Sequence, residues 1–113
     1  MFPVAHPKVT QRAREILAHD PIFIDTETTG FSPNDVVIEI GVVNLAGETL
    51  FESLFKPAIP IPPDAIAIHG ITEAMVADAP SWKDAWSDLH AVLKGRLVGM
   101  YNAEFDLRMM KQT

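Results

Sequence analysis

The chain has 113 residues, 48% of them hydrophobic and 21% charged, a composition that fits one globular domain with a modest core. It has no cysteine, no apolar run long enough to span a bilayer and no signal-peptide core at its N-terminus; disulfides and thiolate metal sites are excluded, and a cytoplasmic protein with no membrane partner is expected. The formal net charge of −6 argues against a broad basic surface that coats duplex nucleic acid, but it leaves room for a site that grips one strand end with the help of divalent cations.

Residues 1–20 read as an N-terminal helical extension and 21–113 as the domain proper. Lys8, Arg12 and Arg14 form a small basic cluster, read as a solvated helix face. Thr10 is placed to cap a helix over 11–19, with Ala13, Ile16 and Leu17 on one stripe, and Asp20-Pro21 ends it. Ile22-Phe23-Ile24 predicts a central strand buried on both faces. Residues 29–35 are turn chemistry throughout. A second strand is expected over 36–45 and a third over 49–56, joined by Ala46-Gly47-Glu48 into a hairpin.

Pro57, Pro60, Pro62 and Pro63 exclude ladder pairing and predict an extended surface loop. His69-Gly70-Ile71-Thr72 reads as a turn, with Thr72 capping a short helix. Ser81 caps a clearer helix over 82–94, in which Trp82, Trp86, Leu89 and Leu93 recur at helical spacing. The two tryptophans read as core, with base stacking as the alternative. Gly95 ends that helix. A fourth strand follows over 97–100, and Asn102 can cap a last helix that begins at Ala103. The hairpin requires antiparallel pairing and the later β-α-β step parallel pairing, so the fold class is α/β with a mixed sheet and flanking helices.

Asp25 and Glu27 stand two apart where the first strand emerges from the core, so their side chains point to one face. Two unpaired carboxylates there are costly to desolvate, and no Lys or Arg lies nearby in sequence. A hard divalent cation with oxygen ligands, Mg²⁺ or Mn²⁺, would compensate them; a solvated acidic loop is the plainer reading. Asp106, on the first turn of the helix after the fourth strand, is expected over the same spot if strands one and four are neighbours. Three carboxylates from separate segments suit a two-metal site acting on a phosphate.

The stretch Phe23-Ile24-Asp25-Thr26-Glu27-Thr28-Thr29-Gly30-Phe31 resembles the first motif of the DnaQ-like (DEDD) 3′–5′ exonucleases, which include the epsilon proofreading subunit of bacterial DNA polymerase III. Ile38-Glu39-Ile40-Gly41-Val42-Val43 resembles that family's second strand. Ile68-His69-Gly70-Ile71-Thr72 resembles its loop, in the form closer to the His subgroup (DEDDh), and Val98-Gly99-Met100-Tyr101-Asn102-Ala103-Glu104-Phe105-Asp106 resembles its second motif. The resemblance implies an RNase H-like fold and hydrolysis of terminal phosphodiesters of single-stranded DNA or RNA. It makes Asp25, Glu27 and Asp106 the catalytic ligands of two divalent ions, which activate a water and stabilise the leaving 3′-oxygen. It places Thr26, Thr28, Thr29 and Gly30 at the 3′-terminal nucleotide, with turn amides exposed as donors. Ile68 and His69 would flank the terminal base, and Asn102 and Phe105 would shape the pocket wall. A polymerase or other protein partner fits the same family.

Several of these residues have a second reading. His69 can simply hydrogen-bond its own loop, Asn102 can be only a helix cap, and Phe105 can be only core. Glu39 stands either at a solvated face or beside the site. The family's third motif, with a fourth acidic ligand and a His or Tyr, has no match here, and neither do its last strand and helix. The chain stops inside the helix of the second motif, which fits a fragment better than a naturally short relative. One flank of the core is then expected to be uncovered, and the 113-residue piece alone to have little nuclease activity. The alternative is a non-catalytic module with the same fold that binds a nucleic-acid end or docks on another protein.

Overall fold

The computed structural model describes residues 18–100 and 103–113, with Gln11, Arg14 and Glu15 before them. The expected cap at Thr10, the Ala13/Ile16/Leu17 stripe, Lys8 and Arg12 of the basic cluster, and the Asn102 cap lie outside the described residues. Gln11, Arg14, Glu15 and Ala18 are helical and exposed, as a solvated helix face requires.

Four strands, β1 (Ile22–Thr28), β2 (Val37–Asn44), β3 (Thr49–Leu54) and β4 (Val98–Met100), form one sheet in the order β3-β2-β1-β4. β1 pairs antiparallel with β2 and parallel with β4, and β2 pairs antiparallel with β3. Among the described residues from Ile22 on, four helices accompany it: α1 (Pro63–His69), α2 (Glu73–Val76), α3 (Trp82–Leu93) and α4 (Ala103–Gln112). This mixed sheet with flanking helices is the RNase H-like arrangement that the motifs implied. No helix among the described residues is long and apolar enough to cross a membrane.

The main core joins alternate residues of β1 and β2 to the helices. Ile22, Ile24, Ile40 and Val42 pack with Ala85 and Leu89 of α3 and Met109 of α4. β1 is therefore not buried on both faces. Ile22 and Ile24 face the helices, while Phe23 between them is 39% exposed, because strand side chains alternate and the helices cover only the even-numbered side. A second cluster joins Ile38, Ile61, Ala65, Ile71 and Val76. Ile38 belongs to it because the β1–β2 register shifts between Glu27 and Thr28, leaving Ile38 with no partner on β1.

Two expectations need correction. The proline-rich stretch is not a surface loop throughout: Pro63 opens α1 from Pro62, Asp64 lies in its first turn, and Gly70 at φ 73° caps it by donating its N–H to Ile66 O. Proline at the first helical position and glycine just past the last are the usual terminal pair, so His69 is the last residue of a helix rather than part of a turn. Ile61, just before it, is buried. The second correction concerns α3. Ala85 and Leu89 form its buried stripe. Trp82 is half-buried, edge-on to Phe55 with ring centroids 5.1 Å apart. Trp86 lies at the rim, 42% exposed. The caps at Thr72 and Ser81 are as expected: Thr72 Oγ1 accepts from Met75 N and Ser81 Oγ from Asp84 N.

Candidate active site

Asp25, Thr26 and Glu27 lie within β1, close to its C-terminal end. Asp25 is exposed and Glu27 half-buried. Alternation puts both on the side of Phe23 and puts Thr26 on the side of α4. There the Thr26 hydroxyl donates to Asp106 Oδ1 at 3.0 Å. Asp106, in the first turn of α4, is only 7% exposed. All three carboxylates line one cavity of about 530 Å³. They do not, however, gather over one spot as expected. Asp106 approaches from the helix-covered side of β1, and no three acidic or histidine side chains among the described residues form a group that could hold a metal ion.

Burial is the largest influence on Glu27, and it raises the carboxyl pKa above the ordinary 4.5. His69 opposes this rise, while Asp25 and Glu39 add to it. Glu39 stands opposite Glu27 in the β1–β2 register, so it lies beside the site rather than at a remote solvated face. His69 Nδ1 accepts from Ile71 N at 3.0 Å, which leaves the proton on Nε2 to donate to Thr28 O at 3.1 Å. His69 therefore bonds its own loop and also lines the cavity.

The residues after β1 form a tightly tied loop. The Thr28 hydroxyl donates to Gly30 O at 2.8 Å. The buried Thr29 hydroxyl donates to Asp35 Oδ1 at 2.7 Å and accepts from Val36 N at 3.0 Å. Ser32 N donates to Asp35 Oδ2 at 2.8 Å. The Thr29 hydroxyl, ahead of the bonds from Ser32, holds the Asp35 carboxyl below its ordinary pKa. Gly30 has no room for a side chain, since a Cβ there would meet Asp35 Oδ2 at 2.6 Å. The loop's amides are not all exposed donors as expected: Thr29 N is taken by Val36 O and Ser32 N by Asp35.

Among the described residues, the expected substrate-binding residues also line the cavity: Thr26, Thr28, Thr29, Gly30, Ile68, His69 and Phe105. Asn102 is outside the described residues. Phe105 packs against the core and lines the cavity as well. Sequence reasoning missed Phe31, Asp35 and Asp64, which also line it. Phe31, 71% exposed, lies 5.5 Å from the Phe105 ring; its place at the end of the first motif was the available signal. Asp64 was hidden because α1 was read as loop.

The exonuclease (RNase_T) family model matches residues 22–113. The chain belongs to the exonuclease family. This exonuclease-family chain is 41% identical to the uncharacterized exonuclease CP81 of Escherichia phage 186 over 110 residues, which is 97% of this chain and 57% of the relative. It is 35% identical to DNA polymerase III subunit epsilon of Pasteurella multocida over 99 residues, 79% of this chain and 39% of that protein. Among solved structures, exonuclease X in complex with 5′-overhanging duplex DNA matches with a TM-score of 0.65 and 37% identity, covering 79% of this chain and 52% of that one. A moderately thermophilic exonuclease I from Methylocaldum szegediense matches with a TM-score of 0.68 at 24% identity, a likeness of fold. The chain therefore spans only part of the relatives it matches.

The exonuclease fold implies divalent cations, and the donor set fits them. It is all oxygen, it is acidic, and Glu27 is under pressure from neighbouring carboxylates that a cation would relieve. The carboxylates stand ready at the cavity wall but are not closed into a finished cage.

Proposed function

We propose that residues 21–113 are the carboxylate-bearing part of a metal-dependent 3′–5′ exonuclease domain, preceded by a helical extension over 1–20. It acts on the 3′ end of single-stranded DNA or RNA, and the 113-residue chain alone turns over little. One observation carries this reading: Asp25, Glu27 and Asp106, from two elements far apart in sequence, line a single cavity together with the threonine loop and His69. Asp25, Glu27 and Asp106 would hold Mg²⁺ or Mn²⁺, which when bound lower the pKa of water and stabilise charge on a phosphodiester. Thr26 orients Asp106 through its hydroxyl. Thr28, Thr29 and Gly30 present the backbone that holds the terminal nucleotide, and His69 fixes that backbone at Thr28 O. Ile68 and Phe105 give the base an apolar wall. The likeness to an epsilon subunit supports a polymerase as protein partner.

A non-catalytic module that binds a nucleic-acid end is the second reading, favoured by carboxylates that do not form a closed cage. Titration calorimetry with Mn²⁺ separates the two. The exonuclease reading expects binding that Asp25→Ala abolishes, and slow release of nucleotides from a labelled single-stranded oligomer. Mn²⁺ binding that survives Asp25→Ala would remove the assigned site, and robust turnover by the 113-residue chain would refute its dependence on further elements.

A further inference from the structure

The loop between β1 and β2 is fastened to the last turns of α4 along most of its length. Gln112 Nε2 donates to Ser32 O at 2.9 Å and to Asp35 O at 2.7 Å. Two carbonyl acceptors fix which end of the amide carries the nitrogen, and Met109 Sδ lies 3.3 Å from the same nitrogen. Arg108 donates to Phe31 O at 2.8 Å, and Val37 N donates to Thr113 Oγ1 at 3.0 Å. The same helix reaches the strand before the loop, where Asp106 accepts from Thr26. So α4 is bonded both to β1 just before the loop and to the loop itself at Phe31, Ser32 and Asp35.

Among these ties Gln112 differs in kind. Arg108 is exposed and serves a single carbonyl, a bond that water can replace. Gln112 is half-buried and serves two. Its partner Ser32 O also accepts from Asp35 N at 3.1 Å, closing the turn. Removing the amide donors takes that partner from the part-buried Asp35 O and leaves Ser32 O with only the turn bond from Asp35 N.

We infer that Gln112 is a positioning residue. Its side-chain amide pins the β1–β2 loop to α4, so the loop bearing Thr28 to Phe31 and the helix bearing Phe105 and Asp106 form one preformed wall of the cavity. This rests on the reading of that cavity as the holder of a strand end. A wall fixed in advance spares the nucleotide the cost of ordering it on binding. Loss of the pin therefore weakens nucleotide binding and leaves the carboxylates in place.

The test uses the 113-residue chain, with thymidine 5′-monophosphate and Mn²⁺ as the probe. Gln112→Met keeps the length of the side chain and removes its donors, including the one 3.3 Å from Met109 Sδ; Gln112→Lys returns donors at the same reach. Two readouts are taken: amide hydrogen exchange by residue, and the nucleotide Kd by calorimetry. For Gln112→Met, exchange should rise across residues 29–37 while Ile40 and Val42 keep their protection, which separates local positioning from general destabilisation. The Kd should weaken about tenfold, equivalent to roughly 1.4 kcal/mol, and Gln112→Lys should recover part of it. Loop exchange and Kd unchanged in Gln112→Met would overturn the inference, as would a loss of protection spread evenly over the sheet. A wild-type chain that binds no nucleotide would instead overturn the reading of the cavity, and the positioning role with it.

Discussion

Substituting Gly30 by alanine tests how the β1–β2 loop is built. The added Cβ would lie 2.6 Å from Asp35 Oδ2 and 2.9 Å from its Cγ, whereas ordinary contact begins at 3.4 Å. The carboxylate must retreat by most of an ångström. It is not a loose side-chain end, because Thr29 Oγ1 holds one oxygen at 2.7 Å and Ser32 N the other at 2.8 Å. Gly30 is not in the left-handed region, so backbone strain adds nothing. A hydrogen bond to a charged group contributes roughly 1.5–3 kcal/mol. Asp35 is half-exposed and water replaces part of what is lost, so Gly30→Ala should destabilise by about 2 kcal/mol. That corresponds to a fall in Tm on the order of 10 °C for a domain of this size. Urea denaturation measures it as a lower midpoint at unchanged slope. In an Asp35→Ala background the same methyl meets open space, so the two substitutions should couple by about 1 kcal/mol or more. Strictly additive effects, or a Gly30→Ala chain as stable as the parent, would show that the close approach of Gly30 and Asp35 does not shape the loop.

Two further outcomes are expected. Glu27 has its folded pKa raised above 4.5, mainly by burial, so its ionised form opposes folding; the penalty is absent below pH 4.5 and develops as pH rises through the raised value. Glu27→Gln should therefore be more stable than the parent near neutral pH, with the difference vanishing in acid and shrinking when Mn²⁺ is added to the parent, as thermal melts at several pH values would show. In the core, Leu89→Ala should cost about 2.5–4 kcal/mol because Leu89 is fully buried between α3 and the sheet. Trp86→Ala should cost less than about 1 kcal/mol, since its ring lies at the rim of the helix against Trp82 and His90. Chemical denaturation of the two variants side by side checks the ranking.

The hairpin and the mixed character of the sheet were legible because each rests on a local signal, whereas the β1–β2 pairing was not. β2 is a run rich in Val and Ile joined to β3 by a tight turn, and a helix between strands dictates a parallel return. Thr72 and Ser81 were legible as caps for the same reason. What was not legible depended on a choice between two valid rules. Four prolines forbid a strand, which was inferred, but Pro63 also opens a helix, and the αL glycine at position 70 closes it; both marks were present and unused. Trp86 repeats at helical spacing with Trp82 and Leu89, yet the buried stripe runs through Ala85, a small residue that periodicity undervalues. Asp35 was hidden in a stretch of turn residues because its partners, Thr29 and Ser32, acquire meaning only once the loop has closed.

The same contrast explains the site. Placing Asp25 and Glu27 on one face needed only the two-residue period of a strand, a property of the chain itself. Placing Asp106 needed the side of the sheet on which α4 packs, a property of the assembled fold. α4 lies on the face of Ile22 and Ile24, because Met109 is buried among those side chains. Its first-turn carboxylate therefore meets Thr26 and not its two acidic neighbours. Carboxylates approaching one cavity from opposite sides of a strand repel less than a gathered trio would. The remaining repulsion falls on Glu27, pressed by Asp25 beside it and Glu39 across the ladder. On the proposed reading, a divalent cation drawn to that side would lower the energy of the ionised cluster most where it is highest, while Thr26 keeps Asp106 at the other wall of the same cavity.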